Sequence, residues 1–288
     1  MPPSAEHDKH GAELAEQRFH MLEDIAKELA GEVIFPTCFD VAVRIRHLLE
    51  DPEITLDSIA LVLSADPLLS SKLIALSNSA LYAGGAQARN IKAAISRLGL
   101  LTVRTVSLNN AMRQLLLSAK LANFDDIAHR LWHHSLQTAA ACHVMARQMT
   151  RINPDTAFLA GMVHDIGAFY MFYRATYYPE LMERPESLKY LVTQWHESIG
   201  ISVLSALGIT EEIVEATRDH DCLRKAPELP RSLGDLVYVG NVLSGAHFEW
   251  LYKDYENETL KQYSPGPQYL ALNEEINAYA EEINVIFS

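Results

Sequence analysis

Apolar residues return every three to five positions through nearly the whole chain, as they do in helices that bury one face. Leu14, Phe19, Leu22, Ile25 and Leu29 form one such stripe and predict a helix over 13–30. Ile34-Phe35-Pro36 interrupts it, because proline is excluded from a helix interior. Val41, Ile45, Leu48 and Leu49 predict a second helix over 38–49, closed by Asp51-Pro52. Thr55 is suited to cap a helix over 56–64. Asp66-Pro67 opens the next, with proline at the first helical position, where its missing N–H is not needed. That helix carries Leu68, Leu69, Leu73, Ile74 and Leu76 and stops near Ser77-Asn78, ahead of a Gly84-Gly85 loop.

The pattern continues with 91–98, broken at Gly99, and resumes over 101–119 with Val103, Val106, Leu108, Met112 and Leu115 inward. A long helix is expected over 125–150, and Asn153-Pro154 opens another across 155–163. The segment 164–176 is apolar and aromatic, and its run from Phe169 to Tyr173 reads as core packing. Pro179 and Pro185 are expected to bracket a loop, followed by helices at 188–207, 211–221 and 231–246. After Trp250 the chain turns polar and then offers one short amphipathic stretch, LNEEINAYAEEINVIF. Neither a βαβ alternation nor a hairpin dipeptide between alternating strands is visible. The expected fold is all-α, in two helical lobes that join near Leu121-Ala122-Asn123.

Composition narrows the class without naming an activity. The 288 residues carry 24 basic against 37 acidic side chains, a formal charge of -13. That balance disfavours a surface built to coat nucleic acid, which relies on basic patches. Arg89, Lys92, Arg97, Arg104 and Arg113 give the first lobe a local basic cast, of the kind usually solvated. No apolar run reaches the roughly 18 residues of a membrane span, so no membrane partner is expected. The start lacks the layout of a secretory signal. Cys38, Cys142 and Cys222 are scattered, which fits a reduced, cytoplasmic setting. Cys142 and His143 point about 100° apart on a helix, a poor geometry for a nucleophile–base dyad.

Twelve histidines are many for this length, and their placement carries the chemistry. His129 and His133 are four apart on a helix, a spacing that could bind metal on an exposed face, although solvated helix histidines are far commoner, and His134 follows directly. His164-Asp165 stands at a helix junction in GMVHDIGA; His196 lies in QWHESIG and His220 in RDHD. Imidazole and carboxylate together suit a divalent zinc, manganese or iron ion. Each also has a plainer reading, in which Asp165 caps the following helix and the histidines are buried and hydrogen-bonded.

HDIGA resembles the signature of the HD superfamily of metal-dependent phosphohydrolases. The chain resembles more closely the HDOD family, the HD-related output domain of bacterial signalling proteins. ADPLLSSKLIALSNSALY at 65–82, IKAAISRLGLLTVRTVSL at 91–108, LWHHSLQTA at 131–139, AFLAGMVHDIGAF at 157–169 and WHESIGISVLSALGI at 195–209 carry the likeness in order. It implies an N-terminal HDOD lobe over 34–122 and an HD-like helical bundle over 123–250; the chain's own pattern adds an N-terminal helical extension over 1–33 and a polar C-terminal extension with a short helix over 251–288.

Carried over, the resemblance makes His134, His164 and Asp165 the metal ligands and places His196 and His220 in the cleft. The distal aspartate of the family falls at Gly240-Asn241, so Asn241 stands where a carboxylate is expected. The lysine that usually follows HDIG is Ala168, and no GYP extension of the cyclic-di-GMP hydrolysing relatives is present. The site therefore reads as eroded, with no residue assigned as catalytic. The expectation is a non-catalytic cytoplasmic signalling module that receives its signal from another chain and acts by binding a protein partner, a nucleotide or a cyclic dinucleotide. The alternative is a metal-dependent phosphohydrolase acting on a nucleotide or phosphoester.

Overall fold

A computed structural model of the chain describes residues 11–30, 37–49, 51–82, 87–116, 124–245 and 265–287, and among them every regular element is helical. The expected breaks at 34–36 and 84–85, the lobe junction at 121–123 and the polar stretch after Trp250 lie outside the described residues. The α-helices are α1 (Gly11–Ala30), α2 (Asp40–Leu49), α3 (Leu56–Ser64), α4 (Pro67–Ser77), α5 (Ile91–Leu116), α6 (Asp125–Met149) and α7 (Pro154–Val163). They continue as α8 (Ile166–Ala175), α9 (Pro179–Met182), α10 (Pro185–Ala206), α11 (Glu211–Ala216), α12 (Leu233–Leu243), α13 (Pro267–Leu270) and α14 (Asn273–Phe287).

Local chemistry sets many of the ends. Thr55 Oγ1 accepts from the Ser58 N–H at 3.2 Å, and Asp66 Oδ1 from that of Leu69 at 3.0 Å. Asn153 Oδ1 caps α7 by accepting from Asp155 and Thr156. Ser232 and Asp235 form a reciprocal capping box at the start of α12. Gly99 has φ +76°, a conformation that costs a side chain dearly, and it kinks α5 where the sequence breaks its stripe.

Two expectations need correcting. Pro179 and Pro185 do not bracket a loop: each opens a helix, α9 and α10, at a position where its missing N–H costs nothing. The helix expected over 211–221 ends at Ala216, and the chain then passes through Asp219 at φ +53°. Aspartate tolerates that left-handed conformation better than most residues. The early end determines where His220 and Asp221 point.

Helices α2, α3 and α4 pack on α5, which also touches α6, α7 and α8. Beyond it, α6 lies against α7 and α12, while α8 runs along α10. Arg104 donates to the Leu207 carbonyl at 2.7 Å and Arg46 to that of Ala206. Together they bring positive charge to the C-terminal end of α10, where a helix favours it. Other members of the basic set also have internal partners: Lys92 pairs with Asp57, Arg97 donates to the Ser77 carbonyl, and Arg113 to that of Phe287. Both outer helices dock. α1 buries Met21 and Ile25 and lies against α8, α9 and α10, and α14 lies across α6 and α4.

Candidate metal centre

Each histidine of the cluster is aimed by a backbone carbonyl. His164 ends α7, and its Nδ1 lies 2.7 Å from the Gly161 carbonyl oxygen, three residues back. His196, on α10, does the same with Val192 at 2.8 Å, and His220, in the turn after α11, with Thr217 at 2.7 Å. His134, on α6, faces the Ser244 carbonyl at 3.3 Å. A carbonyl only accepts, so Nδ1 carries the proton and Nε2 presents a lone pair in each neutral ring.

Those Nε2 atoms converge on one carboxylate. Asp165 Oδ2 lies 3.5 Å from His134 Nε2 and 3.3 Å from His164 Nε2. Its other oxygen, Oδ1, lies 3.5 Å from His196 Nε2 and 3.3 Å from His220 Nε2. Asp165 therefore bridges two groups, His134–His164–Asp165 and Asp165–His196–His220, each with its donor atoms within 4.8 Å of one another. All five side chains are buried, at 1–3% exposure.

Burial pushes His134 down, and it pushes His164 down to about 3. Burial opposes charge at His220 too, but Asp221 and Asp165 outweigh it and raise that ring to about 10. His196 is likewise raised against burial, chiefly by its bond to Asp221. Both carboxyls are held below their ordinary range against burial, mainly by the His164 ring at Asp165 and the His220 ring at Asp221. The pocket thus pairs two carboxylates with two histidines that take up a proton, a place that a cation can fill instead.

A divalent cation fits this set. Both oxygens of Asp165 are buried with no hydrogen-bond donor in bonding geometry, a state that buried polar groups rarely keep without an ion or water. The Nε2 atoms of His134 and His164 face each other at 3.1 Å, and those of His196 and His220 at 3.3 Å. Such pairs repel unless a proton or a cation sits between them. Nitrogen and oxygen donors in this mixture suit zinc, manganese or iron.

The remaining sequence candidates fall as follows. Asn241, on α12, is 1% exposed and donates from Nδ2 to the His220 carbonyl at 3.0 Å and to Asp221 Oδ1 at 2.9 Å. His129 and His133 are exposed, and His129 pairs with Asp125. Ala168 is fully buried in α8. Cys142 is buried, its thiol donates to the Leu236 carbonyl at 3.2 Å, and burial raises its pKa, so no dyad forms. Sequence reasoning missed Asp221, whose Oδ2 lies 3.2 Å from His196 Nε2 and 3.5 Å from His220 Nε2. The available signal was a second acidic residue in RDHD, directly after a cleft histidine.

Comparison with known proteins gives the same family. The HDOD domain model matches residues 35–222. An uncharacterized protein of Treponema pallidum (strain Nichols) is 24% identical over 217 residues, which cover 69% of this chain; the chain spans about 40% of that relative's length. Among solved structures, a candidate metal-dependent phosphohydrolase of Shewanella amazonensis SB2B is 26% identical, with a TM-score of 0.66 over 92% of this chain and 99% of that one. An HDOD domain protein of unknown function from Geobacter sulfurreducens shares the fold at 21% identity and a TM-score of 0.57, over 94% and 99% of the two chains. A candidate signal transduction protein of Marinobacter aquaeolei VT8 does so at 20% and 0.51, over 94% and 66%.

Proposed function

Because the chain belongs to the HDOD family, we propose that it is a signal-transduction output module that holds divalent cation in a closed site and works by binding, without turnover. The two-lobe division at 34–122 and 123–250 is part of this reading, with α5 as the helix through which a change on one side reaches the other. Occupancy of the site by an ion, a partner or a nucleotide would shift the packing around α5. The cytoplasm is its proposed setting; no helix among the described residues is long and apolar enough to cross a membrane.

One observation carries the non-catalytic part. The five bridged ligands are 1–3% exposed, and the side chain of Asp221 is 17% exposed, so a phosphoester has no open face of Asp165 to approach. The neutral Asn241 and the apolar Ala168 add to it, since neither supplies charge where the resemblance expects it. The phosphohydrolase reading keeps support from the intact histidine cluster and from the Shewanella relative's name. In that reading a bound divalent ion supplies Lewis acidity. His134, His164, Asp165, His196 and His220 would hold and orient it.

Hydrolysis assays on manganese-loaded full chain decide between the two. A panel of p-nitrophenyl phosphate, bis-p-nitrophenyl phosphate, nucleotides and cyclic dinucleotides should show no turnover above that of a His164→Ala control. Robust turnover lost in that control overturns the binding-only reading.

A further inference from the structure

The site lacks a carboxylate at Asn241 yet still contains two carboxylates, Asp165 and Asp221. Asp221 is placed by two devices that act together. The chain leaves α11 at Ala216 and turns through Asp219 in the left-handed region, which carries His220 and Asp221 inward on consecutive residues. Asn241 then binds this turn at both levels, donating to the His220 carbonyl and to Asp221 Oδ1. An amide nitrogen can donate to a carboxylate, whereas an aspartate at 241 would set two negative charges face to face. With Oδ1 occupied by Asn241, Oδ2 is the oxygen left for the cluster, and it lies 3.2 and 3.5 Å from Nε2 of His196 and His220.

We propose that Asp221, held by Asn241, is the carboxylate ligand of the second cation position beside His196, His220 and Asp165, in place of the distal aspartate that this chain lacks. This rests on the metal-holding reading above. The second position then has two imidazoles and two carboxylates, a set complete without any group from α12. Asn241 is a positioning residue in this scheme. Its amide fixes the rotamer of Asp221 as outer-shell partners of metal ligands do. Asp221 is also the most exposed ligand of the set, at 17% against 4% or less for the other three side chains.

Manganese titration of the full chain, stripped with chelator, tests this, with bound ions counted by elemental analysis after gel filtration. The unaltered chain should bind two Mn2+. Asp221→Asn, which keeps the size and removes the charge, should weaken one of the two by at least about 10–100-fold, the range for loss of an outer-shell partner alone. Asp221→His should keep two ions, because imidazole ligates, whereas it cannot replace a carboxylate that merely pairs with protonated histidines. Asn241→Ala should weaken the same ion as Asp221→Asn, and the double variant should be no worse than Asp221→Asn alone. Circular dichroism of each variant checks that it is folded. If the unaltered chain binds no Mn2+, the metal-holding reading itself fails. If it binds two and Asp221→Asn also binds two with unchanged affinity, that reading stands and the assignment of Asp221 is overturned.

Discussion

Gly167 and His196 are in backbone contact: a Cβ built on Gly167 would lie 1.8 Å from the His196 carbonyl oxygen and 2.6 Å from the Gly200 nitrogen. The glycine of HDIGA therefore sets how near α8 comes to α10, and with it the distance from Asp165 to His196. Gly167→Ala has no flexible side chain to push aside, so helix must move against helix. It should destabilise the protein by about 3 kcal/mol, the upper end for overpacking in a tight core. It should also weaken ion binding, since Asp165 stands two residues earlier. Gly200→Ala meets its nearest neighbour at 3.3 Å and should cost about 1 kcal/mol. Urea denaturation of both variants checks the order; equal losses would count against the contact as the cause.

The turn that carries His220 and Asp221 depends on Asp219. At φ +53° a β-branched residue is strained, whereas glycine is at ease. Asp219→Val should cost about 1–2 kcal/mol and lower ion affinity by moving the ligands that follow. Asp219→Gly should leave affinity unchanged. Calorimetric titration with Mn2+ reads both, and a valine variant that binds as the unaltered chain does would remove the turn from the account.

The helices α2 to α7, the cap residue Thr55, the helix openings at Asp66-Pro67 and Asn153-Pro154, and the break at Gly99 were readable because each depends on neighbours within one turn of helix. His134, His164 and Asp165 could be singled out from motifs in their own segments, and the structure brings them together with His196 and His220. Asp221 was not legible, for two physical reasons. Its direction depends on a left-handed residue that helical periodicity over 211–221 does not reveal. Its partner Asn241 is twenty residues away, and a missing carboxylate looks like loss until the amide is seen holding another one. The prolines at 179 and 185 were ambiguous for a similar reason, since proline ends one helix and begins the next equally well.

The end of α14 is fastened to both sides of the molecule. Phe287 is 1% exposed, meets Trp132 edge-on at 6.1 Å between ring centroids, and its carbonyl accepts from Lys72 and Arg113. Phe287→Ala removes the ring from between α4 and α6 and should cost about 3–5 kcal/mol, as large-to-small core changes do. Removing the ring also lets water reach Trp132, so its fluorescence should shift to the red. A variant of unchanged stability would mean that α14 contributes little to the fold.

His143 gives the same helix a dependence on pH. Its ring stacks on Tyr279 of α14, with centroids 4.3 Å apart and planes 16° from parallel, and Tyr279 Oη lies 3.3 Å from Nδ1. Burial lowers its pKa, and the Arg147 charge lowers it further, against Asp155 and the Pro154 backbone, which raise it. The folded protein therefore binds this proton less readily than the unfolded chain, where the value is about 6.5. Stability is fully present above that value and is lost as pH falls from it toward the lower folded value, because the unfolded chain then holds more protons. His143→Phe keeps a ring against Tyr279 and cannot titrate, so between pH 7 and pH 5 it should lose less stability than the unaltered chain. Each chain is to be melted across that range with the metal site stripped. The comparison between the two chains cancels the histidines of the metal site, which both retain. Parallel curves would show that His143 keeps its ordinary affinity for protons and that the stacking is made by the charged ring as well as by the neutral one.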